Sequence, residues 1–246
     1  MTDSRPSASV GGLPGPDSQH YPDVAPFGSL YAALRDAANT AGYQLRVDPH
    51  RTIGWHRTGA WAEQAPRDVN VVMGSRSRIF TIQFSLRQTI LAAGSTDDLH
   101  AVVGSLHLWL GGASLRELGA NWPFVRFGEL SEARERGDAA EIAALKWRQM
   151  QSSTARHLAD LHAFIDAAIE EPRLRALFPT TSHSTLWFSR TTDWPYTRDL
   201  PLVTPLGEAR YQVRERDGHL HEPTDAAQSV ALILAALNTP SEASPN

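Results

Sequence analysis

The sequence predicts an α+β protein in which an antiparallel sheet, drawn from N- and C-terminal strands, packs against a central group of helices. Three observations carry this. Strand-like segments lie near both ends, and they arrive in hairpins: 69–73 and 78–85 are joined by Gly74-Ser75-Arg76-Ser77, while 210–214 and Leu220 flank the turn pair Asp217-Gly218. Between them, from Thr96 to Glu171, apolar residues recur almost entirely at helical spacing. Strands do not alternate with crossover helices, as a doubly wound fold requires.

In chain order, residues 1–22 are rich in Ser, Pro and Gly and poor in large apolar groups, so they read as a disordered tail. Removing residues 1–20 is therefore expected to leave thermal stability unchanged. A single domain is expected over 23–240, with 241–246 frayed. Leu30, Tyr31, Leu34, Ala37 and Ala38 set a first helix that Gly42 stops. Residues 43–47 alternate apolar with polar and read as a strand ended by Asp48-Pro49. Trp55 and Trp61 mark a short strand or packed loop. In the 78–85 strand, Phe80, Ile82 and Phe84 share the face assigned to the core, and Ile79, Thr81, Gln83 and Ser85 the other.

The segment 96–127 carries the strongest pattern. Thr96 is the expected cap, and Leu99, Val102, Val103, Leu106, Trp109 and Leu110 form one helix face closed by Gly111-Gly112. Ser114 caps a shorter turn with Leu115 and Leu118. Further helices follow to about Glu171, broken near Gly137 and before Pro172. Residues 185–189 read as a strand, and Thr224 is the expected cap of a closing helix through Val230, Ile233 and Leu237.

Composition excludes several functions. Of 246 residues, 41% are hydrophobic and 20% charged, with net charge -4, so no basic field recruits nucleic acid. The chain has no cysteine, which removes disulfides, thiolate metal ligands and a Cys nucleophile. The N-terminus lacks the apolar core of a signal peptide, and no apolar run reaches the roughly 18 residues of a membrane span. A cytoplasmic protein is expected. Lys146 is the only lysine against many arginines, a codon-bias pattern.

Chemistry-bearing residues are sparse. His100 and His107 are seven apart on one helix, roughly 10 Å, too far to share one metal ion. His157 and His162 are five apart and diverge. His219 and His221 share one side of a strand but lack a third ligand at a convincing spacing. No metal and no cofactor are expected. There is no phosphate loop, dinucleotide fingerprint or nucleophile elbow. The richest polar stretch flanks the 185–189 strand. His183 enters it, and Arg190, Asp193 and Trp194 leave it; these four are the candidate ligand-binding residues. His183 can change charge near neutral pH, Arg190 can grip an anion, and Trp194 can cover an apolar or cationic group. One strand of five residues spans about 17 Å, so the two ends meet one ligand only if a loop folds back.

The segments GSTDDLHAVVGSLHLWLGGASLRELGANWPFV, LFPTTSHSTLWFSRTTDWP and GEARYQV, with the closing helix, resemble an uncharacterised actinobacterial family described as natural-product biosynthesis proteins of unknown function. The resemblance runs over about 29–237 and carries no catalytic residue. It implies a place near secondary-metabolite genes and no activity; the first expectation is a cytoplasmic accessory or small-molecule-binding protein in that setting. Two other readings stand beside it: a metal-independent enzyme acting on a small biosynthetic intermediate through His183 and its neighbours, and a protein-interaction module of immunity or regulatory type. A small-molecule partner is expected, without nucleic acid or membrane; the sequence does not indicate an oligomeric state.

Overall fold

A computed structural model describes residues 16–52 and 54–238, apart from the side chain of His157. The chain divides into two compact units, 1–127 and 128–246, so the domain expected over 23–240 spans both. Helices and antiparallel sheets are both present, as the sequence predicted. The N- and C-terminal strands do not join one sheet, however. They form two, one in each unit. The expected frayed end, 241–246, lies outside the described residues.

The first unit contains α1 (Leu30–Thr40), β1 (Val47–Pro49), β2 (Gly59–Gln64), β3 (Arg67–Met73), β4 (Phe80–Leu86), β5 (Thr89–Thr96), α2 (Leu99–Leu110), α3 (Leu115–Asn121) and β6 (Val125–Arg126). Its six strands lie in sequence order and every pair is antiparallel. Period-2 alternation gives this sheet two chemically different faces. Val69, Val71, Phe80, Ile82 and Phe84 are buried on one, against Leu30 and Leu34 of α1 and Val102, Leu106 and Trp109 of α2. Asp68, Asn70, Thr81, Gln83 and Ser85 alternate with them and so belong to the other.

Local chemistry explains the elements that the sequence misplaced. Tyr43 and Leu45 pack on the core without joining a ladder, and Tyr43 stacks on His107 at 4.0 Å, so pairing starts only at Val47. β5 was not anticipated, because Ala92, Ala93 and Gly94 have weak strand preference; its long pairing with β4 overrides them. The cap of α2 is Asp98, whose carboxylate accepts from the His100 N–H at 2.8 Å, while Thr96 accepts from Asp98. Ser114 and Glu117 form the reciprocal capping box of α3.

The expected tail needs correction at its end. Residues 1–15 lie outside the described residues, but Tyr21 is 2% exposed and belongs to the core. Its hydroxyl lies 2.9–3.0 Å from the carbonyl oxygens of Gly74, Ser77 and Ile79 and accepts from the Ile79 N–H. Asp23 grips Arg78 through both oxygens, at 2.5 and 2.7 Å.

The second unit contains α4 (Glu129–Arg136), α5 (Ala139–Gln151), α6 (His162–Ile169), α7 (Pro172–Arg175), β7 (Phe178–Ser182), β8 (Thr185–Ser189), β9 (Leu202–Gly207), β10 (Arg210–Arg214) and α8 (Ala226–Asn238). Its sheet runs β10-β9-β8-β7, again antiparallel. β7 and β9 were hidden by Pro179 and Pro205. β7 is an edge strand, and Pro205 lies beyond the two residues of β9 that pair with β8, so neither ring breaks a two-sided ladder. Phe164, Ile165, Phe188, Tyr211 and Ile233 form the main core of this unit. Asp225, rather than Thr224, accepts from the N–H of Gln228 at the start of α8. Among the described residues, no helix is long and apolar enough to cross a membrane.

Candidate functional site

The four residues singled out in the sequence do not converge. His183 and Ser184 form the two-residue turn between β7 and β8, both at positive φ, and His183 Nδ1 lies 3.1 Å from Ser182 Oγ. Arg190 follows the other end of β8 and spends its Nε on Asp199 at 2.7 Å. Burial opposes ionisation of Asp199, yet the Arg190 guanidinium and neighbouring donors hold its carboxyl below the usual range. Asp193 lies 3.6 Å from the buried Arg134. Trp194 stands 53% exposed, edge-on to Tyr196. These four residues line none of the clefts described below.

One histidine in each of two pairs is engaged locally. His162 Nε2 meets the Ser153 carbonyl at 2.9 Å, and His221 Nε2 meets Glu215 at 2.7 Å. Among the described residues, no group of three or more His, Asp or Glu side chains is placed to hold a metal ion.

A better-developed site lies on the polar face of the first unit's sheet. Register sets its rows: Glu63, Asp68 and Ser85 face one another across β2, β3 and β4, followed by Trp61, Asn70 and Gln83, then Gly59, Val72 and Thr81. Two clefts run over these rows and share Asn70 and Gln83. The first, about 630 Å³, is lined by Arg51, Trp61, Glu63, Asp68 and Ile90 among others. The second, about 520 Å³, adds His50, Trp55, Val72 and Thr81. The exposed Trp55 and Ile90 give this polar groove apolar walls.

The charges are unevenly matched. Arg51 binds Glu63 at 2.5 Å and lies 4.2 Å from the centre of the Trp61 ring, whose Nε1 also donates to Glu63. Arg67 and Arg87 also line the first cleft; Arg67 donates to the carbonyls of Trp109 and Ala113, and Arg87 is also partnered. Asp68 is left over. It is 8% exposed, and its Oδ1 has no hydrogen-bond partner; Asn70 Oδ1 has none either. Burial pushes the Asp68 carboxyl above its ordinary range; the Ser85 side chain opposes that and Glu63 adds to it. Burial also lowers the pKa of His50, with Asn70 opposing, and the Thr52 N–H stands beside the ring. That N–H donates to His50 Nδ1 at 3.0 Å, which leaves Nε2 as the ring's donor in the neutral form.

An unpaired buried acceptor costs roughly 1–3 kcal/mol. A sheet that carries one inside a cleft holds an acceptor ready for a donor from outside. The sequence signal was partly present: Thr81, Gln83 and Ser85 had already been assigned to the non-core face. Asp68 escaped because the expected strand began one residue later.

Residues 141–245 match the model of a family of unknown function, DUF6193. The match lies in the second unit and leaves the groove outside it. No curated protein and no solved structure matches the chain.

Proposed function

We propose that this is an accessory, small-molecule-binding protein of natural-product biosynthesis and that its ligand binds on the polar face of the first unit's sheet. The observation that carries the site is Asp68, buried in a cleft with one oxygen unpartnered. Buried polar groups are normally satisfied, and exceptions call for a functional account. A cleft with apolar walls and a few convergent polar groups is the usual form of a small-ligand site. The resemblance of the sequence to natural-product biosynthesis proteins supports the metabolic setting. The clustering of buried polar groups favours binding on this sheet over binding at the 183–194 loops.

Metabolite capture from a producing cell, read by mass spectrometry, tests this. A ligand retained by the wild type and by His183→Ala, and lost from Trp61→Ala, supports the proposal. A ligand lost with His183→Ala and kept by Trp61→Ala returns the site to the second unit.

A further inference from the structure

The groove has a direction. Asp68 lies in one row and Val72 four residues further along β3, about 13 Å away at the rise of an extended strand. At the first end stands the unpaired carboxylate. In the middle are two amides, Asn70 and Gln83, 3.5 Å apart. At the far end Val72 and the half-exposed Trp55 offer apolar surface.

We infer that the groove takes a linear primary amine, with its ammonium on Asp68 Oδ1 and its apolar end against Val72 and Trp55. This rests on the proposed ligand site and names the class of ligand it takes. Arg51 already has Glu63, Arg67 already has two carbonyls, and the unmet group is an acid. An ammonium brings a full opposite charge as well as a hydrogen bond, where a neutral hydroxyl brings only the hydrogen bond. A carboxylate head would meet the Asp68 carboxylate as a like charge. The amides in the middle row can hold a polar group along the chain, because each carries both donors and an acceptor.

The probes are octylamine, octanol and octanoate, three chains that differ in the head group. Each is titrated into the 15N-labelled protein, and the backbone amides of Asp68, Asn70, Val72 and Gln83 are followed with the indole N–H signals of Trp55 and Trp61. Octylamine is expected to shift these signals saturably and to bind at least about tenfold more tightly than octanol, a difference of about 1.4 kcal/mol. Octanoate is expected to bind weakest. Asp68→Asn should reduce the preference for amine over alcohol to within about twofold. Octanol or octanoate binding as tightly as the amine overturns the inference, as does a preference that survives Asp68→Asn. If none of the three shifts the groove signals while a captured metabolite is lost from Trp61→Ala, the amine class fails and the binding site stands. If capture also fails, the site fails with it.

Discussion

Glu63 and Asp68 face each other across β2 and β3; Arg51 forms an ion pair with Glu63 and reaches Asp68 only through its field. Arg51 and the Trp61 indole satisfy Glu63, while Asp68, more deeply buried, lines the cleft with one buried oxygen unpartnered. The asymmetry follows from position. Glu63 lies near the end of β2, within reach of the loop that carries Arg51. Asp68 is paired on both sides, with Glu63 of β2 and Ser85 of β4, whereas β1 stops short of Glu63.

Asp68→Asn removes the buried charge while keeping the same acceptor, and is therefore expected to stabilise the protein at pH 7 by roughly 1–2 kcal/mol. The sign follows from linkage. Burial raises the folded pKa above the reference 3.8, so the folded state holds its proton longer than the unfolded state. Stability is lost as pH rises from about 3.8 through the folded value, and the full cost is present above it. The advantage of the variant should shrink as pH falls toward 3.8. Thermal unfolding of both proteins between pH 3.5 and 7.5 checks this; a constant difference would show that ionisation is not the cause.

Tyr21 supplies the second test. Tyr21→Phe keeps the ring on Phe80 but orphans the Ile79 N–H, and should cost about 1–3 kcal/mol. Tyr21→Ala should cost about 3–5 kcal/mol, as loss of a buried aromatic does. Urea unfolding measures both. Wild-type stability in Tyr21→Ala would mean that the segment is not docked.

At Gly104, helix propensity and packing disagree. Replacing glycine by alanine inside a helix ordinarily gains up to about 1 kcal/mol. Here a Cβ would lie 2.4 Å from the Trp122 ring, which itself packs beside Phe124. Gly104→Ala is expected to destabilise by about 1–3 kcal/mol. A rise in melting temperature would show that Trp122 moves aside freely.

Trp109→Ala should cost about 3–5 kcal/mol. The ring is fully buried, donates to the Ser85 carbonyl at 3.3 Å, meets Phe84 edge-on and carries the Arg67 guanidinium 4.1 Å above it. Denaturant unfolding gives the number; a loss below about 1 kcal/mol would contradict the packing described.

Much of this was legible in the sequence where one strong periodicity decided the outcome. The buried face of α2, the Ser114 cap, the Gly137 stop and the two faces of β4 all follow from spacing and capping chemistry. Elements fixed by their neighbours were not legible. β5 rests on β4, β7 on β8, and the burial of Tyr21 on a hairpin more than fifty residues away. The site was missed for a related reason. A Ser-, His- and Arg-rich loop stands out in a linear reading, whereas Asp68, Asn70 and Gln83 become neighbours only once the strands are in register.

The most direct test is the titration of Asp68 itself, followed by NMR through its side-chain carboxyl carbon with and without saturating octylamine. The account predicts a midpoint above 3.8 in the free protein, moving down when the amine binds, because a cation beside the carboxylate favours its charged form. A midpoint at or below 3.8 in the free protein would contradict it, since Asp68 would then already have a partner.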